Sequence, residues 1–249
     1  MIDPISIAPT PIAKSTLTVV PGIVRHRELV DRKMNYLLLK RLFDISFSIL
    51  FMIAVLSWLL PVVCLLIWLS SRGPVFFLQK RIGRGGKSFT CYKLRTMVQN
   101  DEADLLQATE YDERITRLGW FLRKSNMDEF PQFWNVLKGD MSIIGPRPHM
   151  YTDCRTFSEM IPGYKFRTLV KPGLTGLAQV KGYHGPSASM EAIENRFYWD
   201  RYYIYHLGVW QDSRIIARTI LQKCFAMFRY FSVLLPSKPR QQPEPDHSF

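Results

Sequence analysis

The run ISFSILFMIAVLSWLLPVVCLLIWLSS, from Ile45 to Ser71, constrains this chain more than any other feature, because its 27 residues carry no charge. At about 1.5 Å rise per residue, a helix of that length exceeds the ~30 Å hydrocarbon core of a bilayer. The run starts too far from the N-terminus to be a secretory signal, and no small-residue cleavage site follows it. A core helix of a soluble protein is seldom apolar on every face for so long. Both flanks are basic: Arg25, Arg27, Arg32, Lys33, Lys40 and Arg41 precede it, and Arg72, Lys80, Arg81, Arg84 and Lys87 follow. Basic flanks favour the cytosolic side. A single span satisfies that rule at one end, whereas a segment that enters, breaks and returns satisfies it at both. Pro61 lies mid-run, removes one backbone hydrogen bond and predicts a kink. On residues alone a kinked span and a re-entrant hairpin both stand, since true spans tolerate proline.

Lys and Arg total 33 against 21 Asp and Glu in 249 residues, a formal charge of +12. Such a surplus points to nucleic acid, anionic lipid or a phosphorylated substrate. The cations do not form the contiguous stripe with exposed aromatics that single-stranded nucleic acid favours. Lys93, Arg95, Arg123, Arg147 and Lys171 sit on separate predicted elements, which suits convergence on one or two phosphates. Cys64, Cys91, Cys154 and Cys224 form no CxxC pair and lack histidine at metal-ligand spacing, so they read as free thiols in a reducing compartment.

The pattern divides the chain into a disordered or loosely attached arm at 1–23, a lead-in and membrane helix at 24–72, a main body at 73–235 and a disordered tail at 236–249. Within the body, 73–83 and 88–97 read as strands joined by Gly83 to Gly86. Residues 100–124 read as helix in two pieces. Asn126 to Lys138 reads as one helix, N-capped by Asn126 or Ser125 and C-capped by Gly139. Residues 171–185 form a glycine-rich loop with a short strand, and 187–206 and 208–235 are helices. The last mixes apolar and basic residues as an amphipathic surface helix does. The fold class is therefore α+β, mainly helical, with a small β-hairpin.

Asp128 and Glu129 stand side by side in KSNMDEFPQFWNVLKGDMSIIGPRP. Acids in a first helical turn ordinarily answer the helix dipole. A carboxylate can also attack phosphorus, with its neighbour holding a metal or moving a proton. Two adjacent acids tolerate phosphate only if cations offset them, and Arg123, Arg147, Lys93 and Mg²⁺ could do so.

The strings KRLFD, GPVFFLQKRIGRGGKSFTCYKLRTM, DERITRLGWFLRKSNMDEFPQFWNVLKGDMSIIGPRP and KPGLTGLAQVKG closely resemble the bacterial sugar transferases that act on polyprenyl phosphate, the monotopic phosphoglycosyl transferases. The likeness runs from about Lys40 to Thr219. It implies a re-entrant helix broken at Pro61, amphipathic interfacial helices, and a catalytic domain and both termini on the cytosolic side of the bacterial inner membrane, among anionic lipids. It implies transfer of a sugar 1-phosphate from a UDP-sugar to undecaprenyl phosphate with release of UMP, through a covalent phosphosugar-aspartate and with Mg²⁺. This step starts exopolysaccharide, capsule or O-antigen assembly. By the same resemblance Asp128 is the nucleophile and meets Mg²⁺, and Glu129 is its partner. Lys93, Arg95 and Arg123 serve the substrate, as do Pro146, Arg147 and Pro148 at the nucleotide end, and Asp212 is a late acidic position of open role. Leu60 rather than serine precedes Pro61, and the nearest serine is Ser57. With no multi-span bundle before Lys40, the chain resembles the short, catalytic-domain form. GYHGPSASMEAIENRFYWD leans toward a hexose such as glucose or galactose. No nucleic acid is expected, and whether the protein forms a homo-oligomer is left open. A lipid- or nucleic-acid-binding protein and a membrane scaffold are the other classes this composition allows.

Overall fold

A computed structural model describes residues 28, 30–98, 112–183 and 189–234. The expected arm at 1–23, the acidic stretch 99–111 and the tail 236–249 lie outside the described residues.

Helix α1 (Met34–Phe51) runs through a widened π-type turn (Met52–Leu56) into α2 (Ser57–Ser70), making one helix of 37 residues. It is long and apolar enough to cross a membrane, and only 11% of its most apolar 18-residue window is buried. A core helix would be mostly buried. Leu42, Leu50, Ile53, Trp58, Leu65 and Trp68 instead face outward.

The break expected at Pro61 takes a different form. The chain stays helical through Pro61, and the irregularity lies upstream, where the Ser57 N–H reaches back five residues to the Met52 carbonyl. Proline lacks an N–H and crowds the carbonyl four residues before it, here that of Ser57. Widening the preceding turn relaxes that crowding. The carbonyls so displaced find side-chain donors. Ser57 Oγ donates to Ile53 O at 2.6 Å and Trp58 Nε1 to Ala54 O at 3.0 Å.

Both ends of the long helix are tied to one body. Near its start, Lys40 Nζ lies 2.7 Å from Asp212 Oδ2, and Asp44 Oδ1 accepts the Ile143 N–H at 3.0 Å. Arg41 donates to the carbonyls of Val136 and Leu137, at 2.6 and 2.8 Å. At its end, Arg95 donates to the carbonyls of Ser71 and Arg72, at 2.6 and 3.0 Å. Those are carbonyls a helix C-terminus leaves without partners.

Strands β1 (Phe76–Ile82) and β2 (Ser88–Leu94) pair antiparallel, with Phe76 opposite Leu94 and Ile82 opposite Ser88, as the pattern predicts. After them come α3 (Arg117–Ser125), a single 3₁₀ turn (Met127–Glu129) and α4 (Gln132–Lys138). Strand β3 (Ser142–Ile144) pairs in parallel with β4 (Gly173–Thr175). Between them lie α5 (Tyr151–Met160) and a 3₁₀ stretch (Tyr164–Leu169), and beyond them α6 (Leu177–Val180), α7 (Met190–Tyr205) and α8 (Val209–Leu234). Cys91, Val136, Met141, Ile144, Tyr203 and Ile215 are the most deeply buried of the main core, where β2, α4, β3, α7 and α8 meet. Each such apolar side chain contributes about 1.5–3 kcal/mol by burial. α3 exposes Trp120 and Phe121, and α8 exposes Trp210, Ile220, Leu221 and Phe225. Lys124 lies over the Trp120 ring and Arg214 over Trp210. α8 is the amphipathic surface helix the pattern predicts.

Candidate active site

The acid pair does not open a long helix. Asn126 adopts a left-handed backbone, φ 59°, and its N–H bonds the carbonyls of Leu122 and Arg123, so it closes α3. Asparagine tolerates this region better than most residues. Ser125 Oγ bonds back to Phe121 and Leu122. Neither residue is the N-cap expected of a helix over 126–138. Asp128 and Glu129 sit instead in a single tight turn, held by the Glu129 N–H to Asn126 O and the Phe130 N–H to Met127 O. Pro131 then leads into α4, and Gly139 ends it with φ 91°, as expected.

Tertiary partners make the two acids chemically different. Glu129 accepts from Lys93 Nζ on β2 at 2.7 Å and from both Arg147 Nη atoms, one at 3.1 Å. Burial alone would raise its pKa. The Arg147 and Lys93 charges and hydrogen bonds outweigh that and hold it well below the ordinary carboxylate value. Among the described residues none donates a hydrogen bond to Asp128, which is buried. Burial, reinforced by the Glu129 charge and opposed by Lys93, Arg123 and Arg147, pushes its pKa up to about 6. The pair is one fixed anion beside one uncommitted carboxyl.

Arg147 is rigidly mounted. Its own carbonyl accepts from Arg167 Nη2 at 2.8 Å, the Pro148 carbonyl from Arg81 Nη1 at 2.5 Å, and the Pro146 carbonyl from the Gly173 N–H at 2.9 Å. Pro146, Arg147 and Pro148 therefore act as one segment pinned through its backbone. The glycines of KPGLTG explain the close approach: a Cβ on Gly173 would lie 2.1 Å from Gly145 N, and one on Gly176 2.2 Å from Gly145 O. Behind the mount, Arg167 and Asp200 form a buried ion pair at 2.7 Å. Tyr164 Oη meets His149 Nδ1 at 2.8 Å. Burial, then Arg167 and Arg196, hold His149 well below its ordinary pKa and so neutral. Arg167, Asp200 and His149 escape sequence reading. Arg167 and Asp200 lie 20 and 53 residues from Arg147, and only the fold brings them behind it, while His149, two residues on, shows no sign in the sequence of its buried partners.

Arg123 donates through Nε to Thr96 Oγ1 at 2.8 Å, and its charge acts on Asp128. Arg95, which lines the same cavity as Lys93 and Asp128, and Asp212 also hold structure. Arg95 caps the end of the long helix through its two terminal nitrogens. Asp212 accepts from Tyr36 Oη and Lys40 Nζ at 2.7 Å each and from Tyr203 Oη at 3.0 Å, tying α1 to α7 and α8.

Asp128, Glu129, Lys93, Arg123 and Arg147 line one cavity of about 950 Å³, the upper end of the usual range for ligand sites. Its lining joins these charged groups to apolar ones, among them Phe43 and Phe47 of α1, Phe130, Phe133, and Ile216 and Ile220 of α8. Among the described residues no three His, Cys, Asp or Glu side chains gather as a metal cage. One uncommitted carboxylate fits Mg²⁺, which keeps waters and is held by one or two carboxylates plus substrate phosphates.

A family model described as bacterial sugar transferase matches residues 35–226. The chain is similar to a Klebsiella pneumoniae protein named UDP-glucose:undecaprenyl-phosphate glucose-1-phosphate transferase, at 41% identity over 78% of this chain and 42% of that protein. A Caulobacter vibrioides protein of the same name is 41% identical over 85% of this chain and 78% of its own length. An Aeromonas hydrophila protein named UDP-N-acetylgalactosamine-undecaprenyl-phosphate N-acetylgalactosaminephosphotransferase is 44% identical over 74% of this chain and 43% of that protein. The chain thus spans about two fifths of the Klebsiella and Aeromonas relatives.

Proposed function

The chain belongs to the bacterial sugar transferase family, and from that premise we propose that it transfers a sugar 1-phosphate from a UDP-sugar to undecaprenyl phosphate, releasing UMP. The observation that carries the mechanism is the division of labour in the acid pair. Asp128 has no hydrogen-bond donor of its own among the described residues, while Glu129 is held ionised by Lys93 and Arg147.

The Asp128 carboxylate attacks the phosphorus that bears the sugar. The bond from that phosphorus to the bridging oxygen breaks, and the electron pair leaves with UMP. A phosphate oxygen of undecaprenyl phosphate then attacks the same phosphorus. The acyl phosphate bond breaks, the Asp128 carboxylate is restored and the lipid-linked diphosphate leaves. No proton need pass through Glu129. Its role is to keep Lys93 and Arg147 at fixed positions beside the diphosphate, where preorganised cations stabilise developing charge. Asp128 is the residue that would hold Mg²⁺, which when bound neutralises phosphate charge.

Relatives of similar identity are named for glucose and for N-acetylgalactosamine. Two of the three described above are named for glucose, and this supports a hexose as the sugar. Anchoring of both helix ends on one body supports a re-entrant helix, with the catalytic body and both termini on the cytosolic side of the inner membrane. The product is a lipid-linked sugar of the kind that starts exopolysaccharide, capsule or O-antigen assembly.

The test is UMP release by purified protein with undecaprenyl phosphate, Mg²⁺ and a panel of UDP-sugars. Asp128→Ala abolishes release. Near-normal turnover by that variant would overturn the covalent step.

A further inference from the structure

Five residues of α8 line the cavity at helical spacing: Ile216, Thr219, Ile220, Gln222 and Lys223. Intervals of three and four place them on one face. That face is fixed in place. Thr219 Oγ1 lies 2.8 Å from Thr175 Oγ1, and Gln222 Nε2 donates to Val180 O at 2.9 Å. The stripe runs from apolar Ile216 and Ile220 to a single terminal cation. Across the cavity, Phe43 and Phe47 of the membrane helix continue the apolar wall.

A UDP-sugar has no apolar tail to cover such a wall. A polyprenyl phosphate has one, with a dianionic head at its end. The donor side is already furnished with cations, since Lys93 and Arg147 bracket Glu129. Lys223 approaches from the other element. Desolvation at the cavity wall, opposed by the Glu129 charge, reinforced by Arg147 and opposed again by Asp128, holds its ammonium below the ordinary lysine pKa, although the residue as a whole is exposed. Its charge therefore lies within electrostatic reach of the carboxyl assigned to carry the phosphosugar.

We propose that Lys223 receives the phosphate of the polyprenyl acceptor, whose isoprenoid chain lies along the apolar wall between α1 and α8. This rests on the function proposed above and assigns the acceptor end of that site. Lysine suits the task as a compact point charge on a flexible stem, able to follow a phosphate that enters, reacts and leaves within a lipid product.

The experiment measures UMP release by the full chain in neutral detergent micelles. Undecaprenyl phosphate is varied at saturating UDP-sugar, and UDP-sugar at saturating acceptor. Lys223→Ala is expected to raise the acceptor KM at least about tenfold, the effect of losing one charge-assisted phosphate contact, and to leave the donor KM within about twofold. Lys223→Arg, which keeps the charge, restores most of the acceptor KM. An unchanged acceptor KM in both Lys223→Ala and Lys223→Gln overturns the proposal, as does a rise in donor KM instead. So does an effect confined to anionic vesicles and absent from neutral micelles, which would assign the lysine to membrane headgroups. If the unmodified protein releases no UMP from any UDP-sugar, the functional reading fails and the proposal with it. An active protein that is indifferent to Lys223 sinks the proposal alone.

Discussion

Asp128→Asn should make the protein more stable while removing its activity. The Asp128 carboxyl is buried and its pKa is pushed up to about 6 from an ordinary 3.8. That difference is about a hundredfold in proton affinity, or about 3 kcal/mol at ~1.4 kcal/mol per factor of ten. In the unfolded chain the group ionises near 3.8, and in the folded protein only near 6. As pH rises through that window the unfolded state loses its proton first, and folding stability falls by about 3 kcal/mol before levelling above 6. Asparagine keeps the shape and removes the charge. At pH 7.5 the variant should therefore melt higher, by several degrees and up to about 10 °C, given ~2–4 °C per kcal/mol for a chain of this size. The assay is thermal unfolding of both proteins in detergent without divalent cation, at pH 7.5 and at pH 4.5. The gap should narrow to about 1 kcal/mol at the lower pH, where Asp128 is protonated in the folded state but already largely ionised in the unfolded one. Adding Mg²⁺ at pH 7.5 should narrow the gap by stabilising only the wild type. A variant that melts lower than wild type at pH 7.5, or a gap that is the same at both pH values, would refute the reasoning.

Other substitutions separate structure from chemistry. Arg95→Ala removes the cap on the end of the long helix and should lower the melting temperature without raising the KM for UDP-sugar; a selective rise in that KM would return Arg95 to the substrate. Asp200→Ala strands the buried Arg167 guanidinium and should cost about 3–5 kcal/mol, read by denaturant unfolding, with Arg167→Met in the same background recovering part of the loss. Gly173→Ala forces a Cβ to within 2.1 Å of Gly145 N and should lower kcat with the yield of folded protein, because the segment carrying Arg147 must shift; full activity from a normally stable variant would contradict the packing described.

Much of this architecture is legible in residue order because the patterns involved are local. The β-hairpin follows from two alternating strands around glycines, and the end of α4 from Gly139. The inequality of Asp128 and Glu129 is not legible, because it is made by Lys93 and Arg147, 36 and 18 residues away from Glu129 in the chain. The structural bonds of Arg95 are not legible for a geometric reason. Two residues from Lys93, Arg95 lines the same cavity, but it lies just past the end of β2 at Leu94 and its terminal nitrogens reach the Ser71 and Arg72 carbonyls. The role of Asp212 stays open in the sequence because a buried acid that binds two tyrosines and a lysine looks, in one dimension, like any acid on a helix. Pro61 announces an irregular helix, and the turn that absorbs it lies where Ser57 and Trp58 can bond the loosened carbonyls.

The knot at Asp212 also sets an order of events during synthesis. Lys40 and Asp212 are separated by 172 positions, and Arg41 and Val136 by 95. At ~5–20 residues per second, the ribosome delivers the last partner roughly ten to thirty seconds after the first. The lipid-facing helix is therefore made well before the anchors that will hold it exist. During that interval Lys40, Arg41 and Asp44 lack the partners that hold them in the folded protein.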